Sequence, residues 1–210
     1  MLSIVLPTHN EAAIIRANLE RLLGFLRANL REEWRVIVAD NGSIDATRAI
    51  VREIAAKESR LELLELPEPG KGGAVLAAWK REVDSRQPKA ESNSPPPAEG
   101  EREGVGVVYC FMDADLATDL AALPKLVSAI RSGADIAVGS RYLHGSRTER
   151  GLLRQFTSWC YRILLRLLFG LTLSDPPCGF KAVSARVVRD LVPLVRDRKW
   201  FFDTELLIRA

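Results

Sequence analysis

Short apolar segments alternate with longer helical patterns along most of this chain. Between the apolar segments, hydrophobic residues recur every three or four positions, as on the buried face of a helix. Strand–helix alternation at this spacing predicts an α/β fold with a doubly wound, mostly parallel sheet flanked by helices. The predicted strands are 2–6, 34–39, 61–66, 107–112 and 135–138, and the predicted helices begin near Ile14, Thr47, Ala74 and Leu120. Farther on, residues 175–181 are predicted to form a turn that leads into a helix through Leu194.

The length and composition indicate one globular domain over residues 1–210. Apolar residues make up 47% of the 210 residues and charged residues 27%, which is enough to form a sizeable core. The formal charge of +3 is too small to indicate nucleic acid as a partner. Residues 84–104 contain Ser-Pro-Pro-Pro and scattered charges, so we predict a disordered insertion there. The chain stops within a helical pattern at Ala210, and we expect a domain truncated at its C-terminal end.

The cysteines and the first residues bear on localisation. The three cysteines are far apart, which argues against a disulfide framework and favours reduced thiols. Met1 leads directly into a strand pattern, so we expect no signal peptide. No apolar window reaches the roughly 18 residues that a membrane span requires. We therefore expect a cytoplasmic protein.

An arginine-rich helical pattern covers residues 152–169. The wider segment 141–173 contains six arginines and one acidic residue. An apolar face bordered by arginines is typical of a helix that lies on a lipid surface. An ordinary core helix with an exposed basic face would show the same pattern.

Two carboxylates follow the apolar strand 107–112. Asp113 and Asp115 would lie at the carboxyl edge of the sheet, where open α/β folds bind ligands. Two hard oxygen donors suit Mg²⁺ or Mn²⁺, especially an ion shared with a substrate diphosphate. The same Asp-x-Asp pattern is also typical of a turn or a helix cap.

Two other predicted strands end in polar residues. Thr8 and Glu11 have the spacing of a capping box for the first helix. Asp40 would accept a hydrogen bond from a base or a ribose hydroxyl, and Gly42 would let a backbone approach closely, although Asn-Gly is also a plain turn signal. The sequence has neither a Gly-x-Gly-x-x-Gly after the first strand nor a P-loop motif, so dinucleotide-binding and P-loop functions lose their main support.

Seven segments in order resemble the family 2 inverting glycosyltransferases of the GT-A fold. The similarity is greatest to the polyprenyl-phosphate hexosyltransferases, the dolichyl-phosphate glucosyl- and mannosyltransferases. The segments span nearly the whole chain apart from the insertion. They are 6–11, 40–47, 70–73, 111–115, 139–141, 175–181 and 200–207.

The resemblance implies a metal-dependent hexosyltransferase and assigns roles to residues of this chain. The nucleotide-sugar site would comprise Pro7, Thr8, Asn10, Glu11, Asp40, Gly42, Ser43, Lys71, Asp113 and Ala114. Asp113 and Asp115 would hold Mg²⁺ or Mn²⁺. The acceptor phosphate would be bound by Ser140, Arg141, Arg154, Ser158 and Lys181. The catalytic residues would be Asp113, Asp115 and Asp203, with Asp115 or Asp203 as the base if one is used.

The resemblance favours glucose from UDP-glucose as the donor sugar and a polyprenyl or dolichyl phosphate as the acceptor. Ala117 stands where the mannosyl members usually have glutamine, and Asp-Ala-Asp-x-Ala-Thr is closer to the glucosyl branch. Three alternatives stay open: mannosyl transfer from GDP-mannose, transfer to a soluble or protein acceptor, and a non-catalytic nucleotide-sugar-binding module. The implied lipid acceptor would place the protein peripherally at the cytoplasmic membrane face.

Overall fold

The computed structural model describes residues 1–86, 106–139, 152–171, 175–176 and 178–210, with only the backbone of 152–158. Most of the predicted insertion 84–104 therefore lies outside the described residues. The strands are β1 Leu2–Thr8, β2 Trp34–Asn41, β3 Leu61–Leu66, β4 Val108–Met112, β5 Ile136–Val138 and β6 Phe180–Ser184. The helices are α1 Ile15–Asn29, α2 Thr47–Ala55, α3 Lys71–Arg86, α4 Leu123–Arg131, α5 Leu152–Phe169, α6 Ala185–Asp190 and α7 Phe202–Arg209.

The described strands form one sheet in the order β3-β2-β1-β4-β6-β5. Strands β1 to β4 pair in parallel, whereas β6 is antiparallel to both β4 and β5. The predicted mostly parallel α/β sheet is thus confirmed. Because the order changes direction beside β1, a crevice opens between the carboxyl ends of β1 and β4.

Two apolar layers cover the two faces of this sheet. Alternate side chains of β1 point to opposite faces, so Leu2, Ile4 and Leu6 join one buried cluster and Val5 joins the other. The first cluster packs against α1 and α4, and the second includes Trp79 of α3 and residues of α6 and α7. Burying each such side chain contributes about 1.5–3 kcal/mol to the stability of the fold. This packing holds the strands in place, and with them the strand ends that form the crevice.

Strand β6 corrects one expectation from the sequence. Residues 175–181 form a turn only as far as Gly179, and the chain then enters a strand instead of a helix running to Leu194. This strand places Lys181 opposite Phe111 of β4. A strand this short has no strong periodicity, so its pairing with β4 decided its structure.

The expected capping box at the start of α1 was also wrong. Thr8 is the last residue of β1, and α1 begins after Ile14 without a side-chain cap. The backbone N–H of Glu11 donates to the hydroxyl of Thr47 at 2.8 Å. Tertiary contact with α2 therefore replaced the local cap.

Candidate active site

A cavity of about 600 Å³ lies at the carboxyl edge of the sheet. Its size is within the range of small-molecule sites. Six predicted site residues line it: Pro7, Glu11, Lys71, Asp113, Ala114 and Asp115. Six further lining residues were not predicted: His9, Asn41, Pro69, Gly70, Lys199 and Trp200.

Asp113 and Asp115 are both held by backbone hydrogen bonds at the end of β4. The N–H of Asp113 donates to the carbonyl of Gly179 at 3.0 Å. The carboxylate of Asp115 accepts from the N–H of Ala117 at 3.0 Å, so Asp115 forms a turn while it lines the cavity. Asn18 donates to the carbonyl of Ala114 at 2.9 Å and fixes the peptide between the two carboxylates.

Gly179 leaves the space that the Asp113 carboxylate occupies. A Cβ on Gly179 would lie 2.0 Å from Oδ2 of Asp113. Any other residue would therefore displace this carboxylate. The sequence showed Gly179 within the segment 175–181 but gave no reason for a glycine there.

Lys71 supplies a positive charge at the same carboxylate. It is the first residue of α3, and its ammonium forms an ion pair with Asp113. The ammonium also lies 5.2 Å from the ring centroid of Trp200 and 5.7 Å from that of Phe111. Both distances are within the range of cation–π attraction. Trp200 itself is 78% exposed.

The glycines of α3 allow the segment that carries Trp200 to approach. The N–H groups of Gly72 and Gly73 donate to the carbonyls of Lys199 and Arg198 at 2.9 and 2.8 Å. A Cβ on Gly72 would lie 2.6 Å from Cβ of Phe202. These contacts give hydrogen-bond partners to backbone N–H groups in the first turn of α3, which have none within the helix. The helix begins at Lys71, whereas the sequence predicted a start at Ala74.

Two of the predicted donor-binding residues link the loops after β1 and β2. The N–H of Asn10 donates to the hydroxyl of Ser43 at 2.9 Å, and its side-chain oxygen accepts from Ile44 at 2.9 Å. His9 is 2.9 Å from the carbonyl of Asn41 through Nδ1. The hydrogen bond between Asn10 and Ser43 thus joins the loops after β1 and β2, which form one wall of the cavity.

Asp40 is fully buried, with one carboxylate oxygen engaged and the other unpartnered within the described residues. Oδ1 accepts from the N–H of Ser43 at 3.2 Å and from Nε of Arg48 at 2.5 Å. Oδ2 has no hydrogen-bond partner among the described side chains and backbone, and neither does the buried hydroxyl of Thr8. Gly42 beside them has φ of +84°, and its Cβ position is 3.3 Å from the carbonyl of Pro67.

The electrostatics of the cavity favour a cation. Burial raises the pKa of Glu11 above its ordinary value, and the carboxylates of Asp115, Asp45 and Asp113 raise it further. A cation placed among these groups would be stabilised. Asp113 and Asp115 offer the hard oxygen donors that Mg²⁺ and Mn²⁺ prefer, so the residues present fit such an ion. No cluster of three or more metal-ligating groups is found in the described parts of the chain.

Lys181 and Asp203 pair with each other and do not line the cavity. Nζ of Lys181 is 2.7 Å from Oδ2 of Asp203 and donates to the carbonyl of Cys178 at 2.7 Å. Burial lowers the pKa of Lys181, and the carboxylate of Asp203 opposes that shift. The expected contact of Lys181 with an acceptor phosphate, or of Asp203 with an acceptor, would require breaking this pair.

The other predicted acceptor residues cannot be placed. Ser140 and Arg141 lie outside the described residues, as do the side chains of Arg154 and Ser158. The predicted helix over 152–169 is confirmed as α5. Within the described residues, no helix has the length and apolarity to cross a membrane.

Sequence comparison identifies the family. Residues 3–81 and 98–192 match the model of Glycosyl transferase family 2. The chain belongs to this family. The resemblance inferred from the seven segments is therefore confirmed.

Family relatives and a solved structure agree with the fold. The chain is 35% identical to Glycosyltransferase AglD of Haloferax volcanii over 99% of its own length and 30% of that protein. It is 30% identical to a dolichyl-phosphate beta-glucosyltransferase of Trichomonas vaginalis over 99% of its length and 59% of that protein. The fold is also similar to that of a glucosyl-3-phosphoglycerate synthase from Mycobacterium tuberculosis, which was solved with Mn²⁺, uridine diphosphate and phosphoglyceric acid. The TM-score is 0.60 and the sequence identity 23%, and the match covers 99% of this chain and 62% of that one. The fold is GT-A, and the chain spans less than two thirds of the length of each of the two family relatives.

Proposed function

We propose that this chain transfers glucose from UDP-glucose to a polyprenyl phosphate with inversion at the anomeric carbon. The observation that carries the proposal is the pair Asp113 and Asp115, which faces a cavity of about 600 Å³ at the carboxyl edge of the sheet. Similarity to a dolichyl-phosphate beta-glucosyltransferase supports the sugar and the acceptor class.

The residues that line the cavity suit a nucleoside diphosphate sugar as the donor. Asp113 and Asp115 would hold Mg²⁺ or Mn²⁺, which supplies electrostatic stabilisation of a leaving diphosphate as a Lewis acid. Lys71 lies beside them and adds a second positive charge to the cavity. Asp40 is fully buried and does not line the cavity, so its unpartnered oxygen would accept an N–H from the base only if the loop after β2 moved.

The acceptor chemistry requires positioning more than proton removal. A phosphate monoester is largely ionised near neutral pH, so its oxygen can attack C1 of the sugar directly. The bond from C1 to the diphosphate oxygen breaks and its electron pair leaves with UDP. One in-line displacement converts an α-linked donor into a β-linked lipid sugar. Segment 141–166 contains six arginines, and a guanidinium group binds phosphate oxygens in the bidentate manner that orients a phosphate.

We infer that α5 rests on the lipid surface that contains the acceptor. Its exposed apolar side chains include Trp159, Leu164, Leu167, Leu168 and Phe169. Large exposed apolar patches mark interaction surfaces, and Arg162 and Arg166 of the same helix match anionic headgroups. No acidic residue occurs between Leu152 and Leu171.

The test is transfer of label from a panel of nucleotide sugars with Mn²⁺, with and without polyprenyl phosphate in detergent. Label from UDP-glucose in the lipid phase is expected, with at least a 100-fold loss in Asp113→Asn. Asp119→Asn is the matched control, because Asp119 caps the next turn outside the cavity and asparagine caps equally well. Transfer from GDP-mannose alone would replace the sugar assignment, transfer to a soluble acceptor would replace the acceptor, and UDP-glucose binding without transfer would refute the enzymatic proposal.

A further inference from the structure

The buried ion pair between Lys181 and Asp203 connects two walls of the cavity. Both side chains are almost completely buried, at 0% and 5% exposure. Lys181 lies on β6 beside the turn that supports Asp113, whereas Asp203 lies in the first turn of α7. The pair therefore joins β6 to the helix that follows Trp200.

On the first wall, Lys181 fixes the turn beneath Asp113. Its ammonium donates to the carbonyl of Cys178 at 2.7 Å. The next residue, Gly179, accepts the N–H of Asp113 at 3.0 Å and leaves no room for a Cβ beside the carboxylate. A shift of the turn therefore moves Asp113 directly.

On the second wall, Asp203 fixes the segment that carries Trp200. Asp203 follows Phe202, whose side chain packs against Gly72 of α3. Lys199 and Trp200 line the cavity from this side, and the ring of Trp200 lies near the ammonium of Lys71. The ion pair thus adds a direct buried link between the two walls. It acts alongside the hydrogen bonds from Gly72 and Gly73 to the 198–199 backbone and the ion pair of Lys71 with Asp113.

We propose that Lys181 and Asp203 are positioning residues that hold Asp113 and the Lys199–Trp200 segment at the separation required for a divalent cation with a nucleoside diphosphate. Neither side chain lines the cavity. The inference rests on the proposed function for the identity of those ligands. A buried pair of this kind contributes little net stability compared with apolar residues of similar size, so stability alone does not explain it.

The experiment compares variants that keep the fold but remove the bridge. Lys181→Met alone leaves a buried, unpaired carboxylate and is expected to fold poorly, so the double variant Lys181→Met/Asp203→Leu is the informative one. We expect its Tm to lie within a few degrees of wild type while the affinity for Mn²⁺ in the presence of UDP falls about 10-fold or more. Mn²⁺ binding is measured by electron paramagnetic resonance and UDP binding by calorimetry. In transfer assays, donor KM should rise together with a fall in kcat.

A second ion pair provides the matched control. Arg35 and Glu82 pair at 2.9 Å, and neither lines the cavity. Glu82 is likewise buried, whereas Arg35 is 40% exposed. Arg35→Met/Glu82→Leu makes the same chemical change, and we expect Mn²⁺ and UDP affinities equal to wild type. Equal affinities in the Lys181/Asp203 double variant as well would overturn the proposal and leave the pair a structural one.

Asp203→Asn separates positioning from general-base catalysis. The asparagine oxygen still accepts from Lys181 and keeps the bridge, but the buried ammonium loses its countercharge. We therefore expect a lower Tm, with Mn²⁺ affinity and kcat of the folded protein within about 3-fold of wild type. A loss of 100-fold or more in kcat with unchanged binding would instead identify Asp203 as a base and overturn the inference. Wild-type chain that binds Mn²⁺ and UDP but transfers no sugar would refute the proposed function and leave the binding test of the pair intact. Wild-type chain that does not bind Mn²⁺ with UDP would overturn both.

Discussion

Substituting Gly179 by alanine tests how tightly the fold fixes the Asp113 carboxylate. The added Cβ would lie 2.0 Å from Oδ2 of Asp113, and 3.0 Å is the shortest separation that real Cβ atoms show. The carboxylate must therefore move by about 1 Å, a displacement that costs on the order of 100-fold in rate when it affects a reacting group. We expect Gly179→Ala to lower transfer turnover by about that factor and to weaken Mn²⁺ binding.

The effect on stability should be small by comparison. Overpacking costs about 1–3 kcal/mol, and the loss of unfolded-chain entropy from glycine to alanine returns about 0.4–1 kcal/mol. Because Asp113 is 40% exposed and can rotate toward solvent, the net loss should be near the lower end. At about 2–4 °C per kcal/mol for a chain of this size, Tm falls by no more than a few degrees.

Gly24→Ala is the matched control for this substitution. Gly24 is exposed within α1, and its Cβ position has no atom within 4 Å. Alanine there should add about 0.5–1 kcal/mol of stability without changing turnover. Turnover and Mn²⁺ affinity of Gly179→Ala within about 3-fold of wild type would refute the argument, since the expected displacement corresponds to a far larger effect.

Three further variants test the cation site and the lipid surface. Lys71→Met should strengthen Mn²⁺ binding in the absence of nucleotide by about 10-fold, because it removes a competing charge-assisted contact with Asp113. The same variant should weaken UDP binding. Calorimetry with each ligand measures both changes in affinity. The raised pKa of Glu11 means that its ionisation destabilises the folded state as pH rises above the unfolded value. Glu11→Gln should therefore raise Tm at neutral pH and match wild type at about pH 3, where the carboxyl is protonated in both states; equal Tm shifts at both pH values would contradict this. Leu167→Glu should reduce sedimentation with anionic vesicles relative to the control Ile44→Glu, an exposed apolar residue outside α5, and equal losses would contradict a surface role for α5.

Sequence patterns predicted the parts of this protein that depend on local order. The alternation of strand and helix segments predicted the mostly parallel sheet, because side-chain periodicity follows directly from backbone geometry. The apolar run before Asp113 predicted a buried strand, and strand direction then placed Asp113 and Asp115 at the ligand-binding edge. Six of the predicted site residues line the cavity for this reason.

Other features depended on residues that are distant in the sequence. Strand β6 formed because residues 180–184 pair with β4, and Trp200 reached the cavity because the glycines of α3 admit its backbone. No local pattern encodes such contacts.

Lys181 shows the difference most clearly. The family resemblance suggested that Lys181 would add positive charge to an acceptor-phosphate pocket, whereas the folded chain buries it against Asp203. Sequence alone determined the parallel strands β1 to β4 and the two carboxylates at their carboxyl edge, because these follow from the order of elements along the chain. Only the tertiary structure decided which charges face the cavity and which neutralise each other, because burial changes the electrostatic cost of a charge and is set by the packing of the whole domain.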